Sequence, residues 1–174
     1  MIKVLSGKYK NRKLNFFDYP SIRPTQSRVK KSLFDTINDL EGKKVLDLCC
    51  GVGTLGIEAI SRGTKFVKFV DNNNKAISIL KQNLSLLSIE SDNTIIKSDV
   101  IKFISNEQEQ YDLILVDPPY HKFKLEDFFP ALSDNIFNDG ILCYETGKHE
   151  YIKDLSFKIK KFGNTQLIFW RKYE

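Results

Sequence analysis

An α/β fold, with a mostly parallel sheet and helices on both of its faces, is predicted by three features of the 174-residue sequence. From Lys44 onwards, short apolar runs alternate with segments whose apolar residues recur every three or four positions. A glycine-rich turn, "GVGTLG", lies between the first such run and the first such helix. A later run, "DLILVD", stops at two consecutive prolines, Pro118 and Pro119. Alternating strands and helices build parallel sheets covered on both sides.

The elements follow in order. The first twenty residues read as a hairpin: "MIKVLSG", the basic turn "KYKNRK", then "LNFF". In "RPTQSRVKKSLFDTINDL", Val29, Leu33, Ile37 and Leu40 form a helical stripe, with Pro24 and Thr25 as its start and "EGKK" as its stop. "KVLDLCC" is the first strand of the alternating region, and "GVGTLGIEAISRG" is a turn opening a helix that closes at Gly63. The strand "KFVKFVD" leads into "NNKAISILKQNLSLL", where Ala76, Ile77, Leu80, Leu84 and Leu87 mark one face. "NTIIKSD", a short helix through Val100 and Ile104, and the strand "YDLILVD" come next. Beyond the proline break, "LEDFFPALSDNIF" is helical despite Pro130 and precedes "GILCYET". "FKIKKFGNTQLIFWRK" alternates around "FGNT" as a closing hairpin, with Trp170 packed in the last strand. One domain is expected over 1–174: a basic arm (1–20), a helical segment (21–43) and a core (44–174).

An apolar fraction of 41% and a charged fraction of 28% suit a water-soluble chain with a proper core. No apolar run approaches the ~18 residues of a membrane span, and the N-terminus lacks the apolar block of a secretory signal. Cys49, Cys50 and Cys143 are odd in number and lack C-x-x-C spacing, which favours neither a disulfide framework nor a zinc site. A reduced, cytoplasmic setting without a metal is expected. The charge is unevenly placed. Residues 1–31 hold six Lys and three Arg against Asp18 alone, a net +8, and the rest of the chain balances it to +5. Such an asymmetry marks a surface for a polyanion.

"DLCCGVGTLG" sets Gly51, Gly53 and Gly56 between a strand and a helix. Gly51 suits a tight turn, Gly53 a close approach of ligand to backbone, and Gly56 close helix–strand packing. The helix start offers N–H groups and a positive dipole end, beginning at Thr54, to an anionic group. Asp71, which ends the next strand twenty positions after Gly51, can accept from the two hydroxyls of a ribose, with Asn72 beside it. The glycine pattern alone fits nicotinamide or flavin dinucleotides equally well. Asp47 separates the readings, because a carboxylate just before the turn repels a pyrophosphate and suits a cation. S-adenosylmethionine has a ribose, an adenine, a sulfonium and an amino group, and no phosphate. Asp99, in "KSDV", is placed to accept from the adenine amine with the Val100 N–H nearby, and also to cap the following helix.

The strand ending in Asp117-Pro118-Pro119-Tyr120 carries the chemistry. A strand end at the carboxyl edge of an open α/β sheet points into the ligand crevice. Two prolines fix the backbone and remove its donors. What remains are acceptors, the Asp117 carboxylate and the Pro118 carbonyl, which can hold both hydrogens of an exocyclic amine. Tyr120 supplies a face on which a base can stack.

The Asp-Pro-Pro-Tyr tetrad with the glycine turn resembles the amino-methyltransferases that act on base amines. More narrowly, "GKYKNRKL", "RPTQSRVKKSLFDTI", "GVGTLGIEAISRG" and "DLILVDPPY" resemble the bacterial 16S ribosomal RNA guanine-N2 methyltransferase family. The resemblance implies a seven-stranded Rossmann-like class I fold, S-adenosylmethionine as cofactor, and a guanine in a partly assembled small ribosomal subunit as target. It makes Asp117, Pro118, Pro119 and Tyr120 the catalytic set. It assigns Asp47, Cys49, Gly51, Gly53, Thr54, Asp71, Asn72, Asp99 and Val100 to the cofactor pocket, with Thr25 and Arg28 at its mouth. Two departures stand out: Cys49-Cys50 replaces an aromatic-small pair, and Asp71 stands where the family commonly has Glu.

The arm places Lys8, Lys10, Arg12 and Lys13 around Tyr9, cations for phosphates and a ring for a loosened base. Arg23, Lys30 and Lys31 extend the expected RNA track. A monomer is expected, and His121 and His149 are read as incidental. Methylation of adenine N6, a nicotinamide-dependent oxidoreductase and a non-catalytic RNA-binding module compete with this reading. The lack of a target-recognition domain argues against the first on DNA, Asp47 against the second and the intact tetrad against the third.

Overall fold

The computed structural model describes residues 2–16, 27–119, 123–147 and 156–173. At the start, β1 (Ile2–Lys3) and β2 (Lys13–Leu14) pair antiparallel, as the hairpin reading expects. Helix α1 (Ser27–Ile37) buries Val29, Leu33, Phe34 and Ile37. The core then runs β3 (Lys44–Leu48), α2 (Thr54–Ser61), β4 (Phe66–Asp71), α3 (Asn74–Leu86), β5 (Asn93–Lys97), α4 (Val100–Ile104) and β6 (Tyr111–Val116). It closes with α5 (Leu125–Asp134), β7 (Ile136–Gly147), β8 (Lys158–Phe162) and β9 (Thr165–Arg171).

The seven strands of the main sheet lie in the order β5-β4-β3-β6-β7-β9-β8. Pairings from β5 through β7 are parallel, and β9 runs antiparallel to both β7 and β8. Both faces are covered. Val45, Val67, Phe69, Leu113 and Leu115 pack with α1, α2 and α3, while Leu46, Leu48, Val70, Ile114 and Val116 pack with α4 and α5. Double coverage explains why "LILV" is apolar without interruption. Trp170 packs as expected, edge-on to Phe129 with ring centroids 4.9 Å apart.

Two boundaries differ from the sequence reading: α1 ends at Ile37, short of Leu40, where Asn38 turns left-handed at φ 69°, and the fifth helix is also shorter. The segment "NIF" is not helical: α5 ends at Asp134, and Ile136 pairs with Tyr111 in the sheet. Asn135 causes the change. Its carbonyl accepts the Tyr111 N–H at 2.9 Å, and its amide donates to the carbonyls of Glu107 and Glu109 at 3.0 Å each. These bonds outweigh another half-turn of helix.

Strands β3, β4 and β5 build outward on one side, and the chain then returns to place β6 on the other side of β3. The crevice between the carboxyl ends of β3 and β6 is therefore the switch point at which open α/β sheets bind ligands.

Candidate active site

Three carboxylates lie around that crevice, and each arrives by a different route. Asp47 shares the β3 face of Val45, which is apolar elsewhere, and is only 1% exposed. Its Oδ2 accepts the Gly56 N–H of α2 at 2.8 Å, while its Oδ1 is buried with no hydrogen-bond partner among the described residues. Asp71 ends β4, and Asp117 follows β6 directly, half-buried. The Asp117 N–H donates to the Leu48 carbonyl at 3.3 Å, so the parallel ladder carries the start of the tetrad to the edge of the glycine turn. Burial lifts the Asp47 carboxyl to about 8 against the Gly56 hydrogen bond, and the negative charges of Asp117 and Asp71 add to the rise.

The turn is built from left-handed residues: Cys49 at φ 57°, Gly51 at 55° and Gly53 at 84°. Gly51 and Gly53 differ in what surrounds them. A Cβ on Gly51 would meet nothing within 4 Å, so the open side of the turn is here. A Cβ on Gly53 would lie 2.3 Å from Leu80 Cδ1. The missing side chain of Gly53 admits α3, a packing role that the spacing does not show. Gly56 behaves as expected, since a Cβ there would strike Phe69 at 2.2 Å and Asp47 Oδ2 at 2.8 Å. Helix α2 begins at Thr54 without a side-chain cap from Gly53, and the Asp47 carboxyl takes one first-turn donor, the Gly56 N–H.

Asp71 is more committed than the sequence reading allows. Its Oδ2 accepts the Gly51 N–H and its Oδ1 the Asn73 N–H, each at 2.8 Å. The side chain thus ties the turn to β4, and any ribose would use the remaining lone pairs. The adjacent Asn72 is exposed. Asp99 is exposed and caps α4, with Oδ1 accepting from Ile101 at 3.0 Å and Lys102 at 3.2 Å; Val100 beside it is buried. Pro118 is buried and Pro119 exposed. Thr25, Arg23, Tyr120, His121 and His149 lie outside the described residues. Arg28 is exposed at the start of α1.

In the arm, Lys8, Lys10, Arg12 and Lys13 are exposed, and Tyr9 is half-buried against the core with the Lys8 ammonium 5.2 Å from its ring centre. Lys31 is exposed and pairs with Asp35. Lys30 is not a surface cation. It is 2% exposed, with Nζ 3.2 Å from Glu58 Oε2 and donating to the Lys3 carbonyl at 3.0 Å. Burial holds its pKa below the ordinary lysine value, opposed by Glu58. The expectation that Lys30 touches RNA fails because α1 turns this residue inward to meet Glu58.

Sequence reasoning missed two positioning residues. Glu58, wholly buried on α2, accepts the backbone N–H groups of Leu5 and Ser6 at 2.8 and 3.0 Å and fastens the arm to the helix behind the glycine turn. Tyr144 of β7 pairs with Val116, and its hydroxyl donates to the Phe123 carbonyl at 2.9 Å, pinning the chain on the far side of the tetrad. An acid in the apolar frame of "GIEAI" is a sequence signal for Glu58, whereas nothing in "GILCYET" distinguishes Tyr144 from a core aromatic.

Among solved structures, the fold is similar to that of a ribosomal protein L11 methylase from Lactobacillus delbrueckii subsp. bulgaricus. That similarity has a TM-score of 0.69 at 21% identity and covers 85% of this chain and 80% of that one. The ribosomal RNA small subunit methyltransferase D of Haemophilus influenzae is 28% identical over 99% of this chain and 93% of its own length. The protein of the same name from Buchnera aphidicola subsp. Acyrthosiphon pisum is 34% identical over 70% of this chain, a span of 64% of that protein. Residues 2–171 match the family described as conserved hypothetical protein 95. With nearly its whole length inside that match, the chain belongs to the conserved hypothetical protein 95 family.

Proposed function

We propose that this protein transfers a methyl group from S-adenosylmethionine to the exocyclic N2 amine of a guanine in 16S ribosomal RNA. The observation that carries the reading is the hydrogen bond from the Asp117 N–H to the Leu48 carbonyl, which fixes the start of the Asp117-Pro118-Pro119 ledge to the end of β3, where the glycine turn begins. The relatives named as small-subunit ribosomal RNA methyltransferases support the RNA as substrate.

The pocket residues suit this cofactor. The orphaned oxygen of Asp47, with Asp71 and Asp117 as acidic neighbours, suits a cation, whose charge would favour the ionised form of Asp47. The uncapped start of α2 at Thr54 suits a carboxylate. When bound, the cofactor supplies an electrophilic methyl carbon on a sulfonium. Asp117 and the Pro118 carbonyl accept the two amine hydrogens and turn the nitrogen lone pair out of the base plane. The lone pair would then face the cofactor's methyl carbon, and Asp117 would pass the surplus amine proton to water. Positioning accounts for most of the acceleration.

The test is transfer of radiolabelled methyl from S-adenosylmethionine to the RNA of immature small subunits, with the product base mapped by mass spectrometry. Label on guanine N2, lost in Asp117→Ala, is the expected result. Label on adenine N6 would replace the target, and equal transfer by Asp117→Ala would remove the mechanism. Thermal stabilisation by NAD and not by S-adenosylhomocysteine would reject the cofactor.

A further inference from the structure

Helix α3 carries two lysines and no acid, and the first carboxylates beyond its ends are Asp71 and Glu90. The described part of the arm, residues 2–16, is also free of acids. The two meet. The Asn15 N–H donates to Asn83 Oδ1 at 2.7 Å, Asn83 Nδ2 donates back to the Asn15 carbonyl at 3.1 Å, and the Arg12 guanidinium donates to the Leu86 carbonyl at 3.3 Å. Between them runs an open groove of about 600 Å³ lined by Asn15, Ser78, Lys81, Gln82, Ser85 and Leu86.

The lining has the chemistry of a nucleic-acid track. Lys81, with Arg12 at the rim, offers cations to phosphates. Two amides and two hydroxyls can bond base edges or 2′-hydroxyls, and Leu86, 48% exposed, offers an apolar rest for a base. Among the described residues, no carboxylate lines the groove to oppose the polyanion. The floor is joined to the reaction centre: Asn83, wholly buried, also donates from Nδ2 to the Val52 carbonyl of the glycine turn at 3.1 Å. The Asn83–Val52 bond holds this part of α3 against the glycine turn.

We infer that the groove between the arm and α3 holds the RNA strand flanking the target nucleotide, with Lys81 contacting its phosphate. This rests on the reading of the substrate as RNA. The test measures binding of unmodified 16S ribosomal RNA and of S-adenosylhomocysteine to wild type, Lys81→Ala, Lys81→Glu and the arm variant Lys10→Ala/Arg12→Ala over a salt series. Lys81→Ala is expected to lower the salt slope by about 0.7, the contribution of one phosphate on a single strand, and Lys81→Glu to weaken RNA about tenfold. Melting temperature and S-adenosylhomocysteine affinity should be unchanged, because Lys81 is exposed and outside the crevice. Wild-type RNA affinity in both Lys81 variants, alongside a loss in the arm variant, would overturn the groove and leave the substrate standing. Failure of wild type to bind RNA would overturn both. A loss seen on subunit particles but not on naked RNA would assign the groove to a ribosomal protein instead.

Discussion

Replacing Glu58 by alanine tests whether a buried ion pair holds the arm to the catalytic core. The carboxylate is wholly buried and Lys30 is 2% exposed, so neither charge has water to fall back on. Oε2 faces Lys30 Nζ at 3.2 Å and accepts the Leu5 N–H at 2.8 Å; Oε1 accepts the Ser6 N–H and Arg62 Nε, both at 3.0 Å. Alanine leaves a buried ammonium with only the Lys3 carbonyl and leaves two backbone N–H groups without acceptors. Breaking a buried pair from one side costs about 3–5 kcal/mol. Each orphaned donor adds about 1–3 kcal/mol unless the arm lifts away and finds water. The arm's release limits the total, and a loss of about 4 kcal/mol is expected. Glu58→Leu with Lys30→Met removes both charges and should recover the ion-pair part, leaving the cost of the stranded N–H groups at about 1–3 kcal/mol each unless the arm lifts. Urea unfolding followed by the fluorescence of Trp170 measures each variant, and trypsin cleavage after Lys10, Arg12 or Lys13 reports whether the arm has lifted. The Glu58→Ala deficit should shrink at high pH, where Lys30 sheds its proton more easily. A Glu58→Ala protein within about 1 kcal/mol of wild type, with its arm still protected, would refute the reasoning.

Asp47 makes the cofactor-free protein sensitive to pH. Its folded pKa of about 8 lies above the usual value of ~3.9. Its contribution to stability is thus fully present below the unfolded pKa and is lost as pH rises through 8, at up to about 1.4 kcal/mol per unit. Wild type should weaken relative to Asp47→Asn between pH 5.5 and 8 in urea titrations, and saturating S-adenosylmethionine should flatten the difference. Parallel pH curves for the two proteins would contradict the assignment. Alanine at Gly51 and Gly53 separates turn strain from packing. Both positions have positive φ, for which alanine costs about 1–2 kcal/mol, and Gly53→Ala adds the collision with Leu80, another 1–3 kcal/mol. Thermal melts should show the larger drop for Gly53→Ala, while Gly51→Ala loses cofactor affinity first. Equal drops would mean that Leu80 gives way.

Where the residues speak locally, the sequence reading holds. "KVLDLCCGVGTLG" and "YDLILVDPP" are legible because their chemistry is carried by adjacent residues: an apolar strand, positive-φ glycines and two prolines without donors. Asp99 was readable as a helix cap for the same reason. What the sequence reading misses is what a residue meets across the chain. Lys30 looked like one of a run of surface cations, but its partner lies 28 positions away. The packing of Gly53 against Leu80, 27 positions further on, is likewise invisible to spacing. The two backbone donors that Asp71 also accepts are invisible to spacing as well.

The sequence by itself determined the alternation of strands and helices, the acid-glycine-acid order of the first crossover, the donor-free ledge after β6, and the concentration of positive charge in the arm. Each follows from local propensity and composition, which need no partner to be read. Only the tertiary structure decided that β6 lies against β3, bringing Asp117 beside the glycine turn from 70 positions away from Asp47. It also decided that Glu58 and Asn83 fasten the arm to α2 and α3. The reason is physical: pairing across a sheet and burial between layers depend on which surfaces meet when the core closes, and that is a property of the whole packed chain.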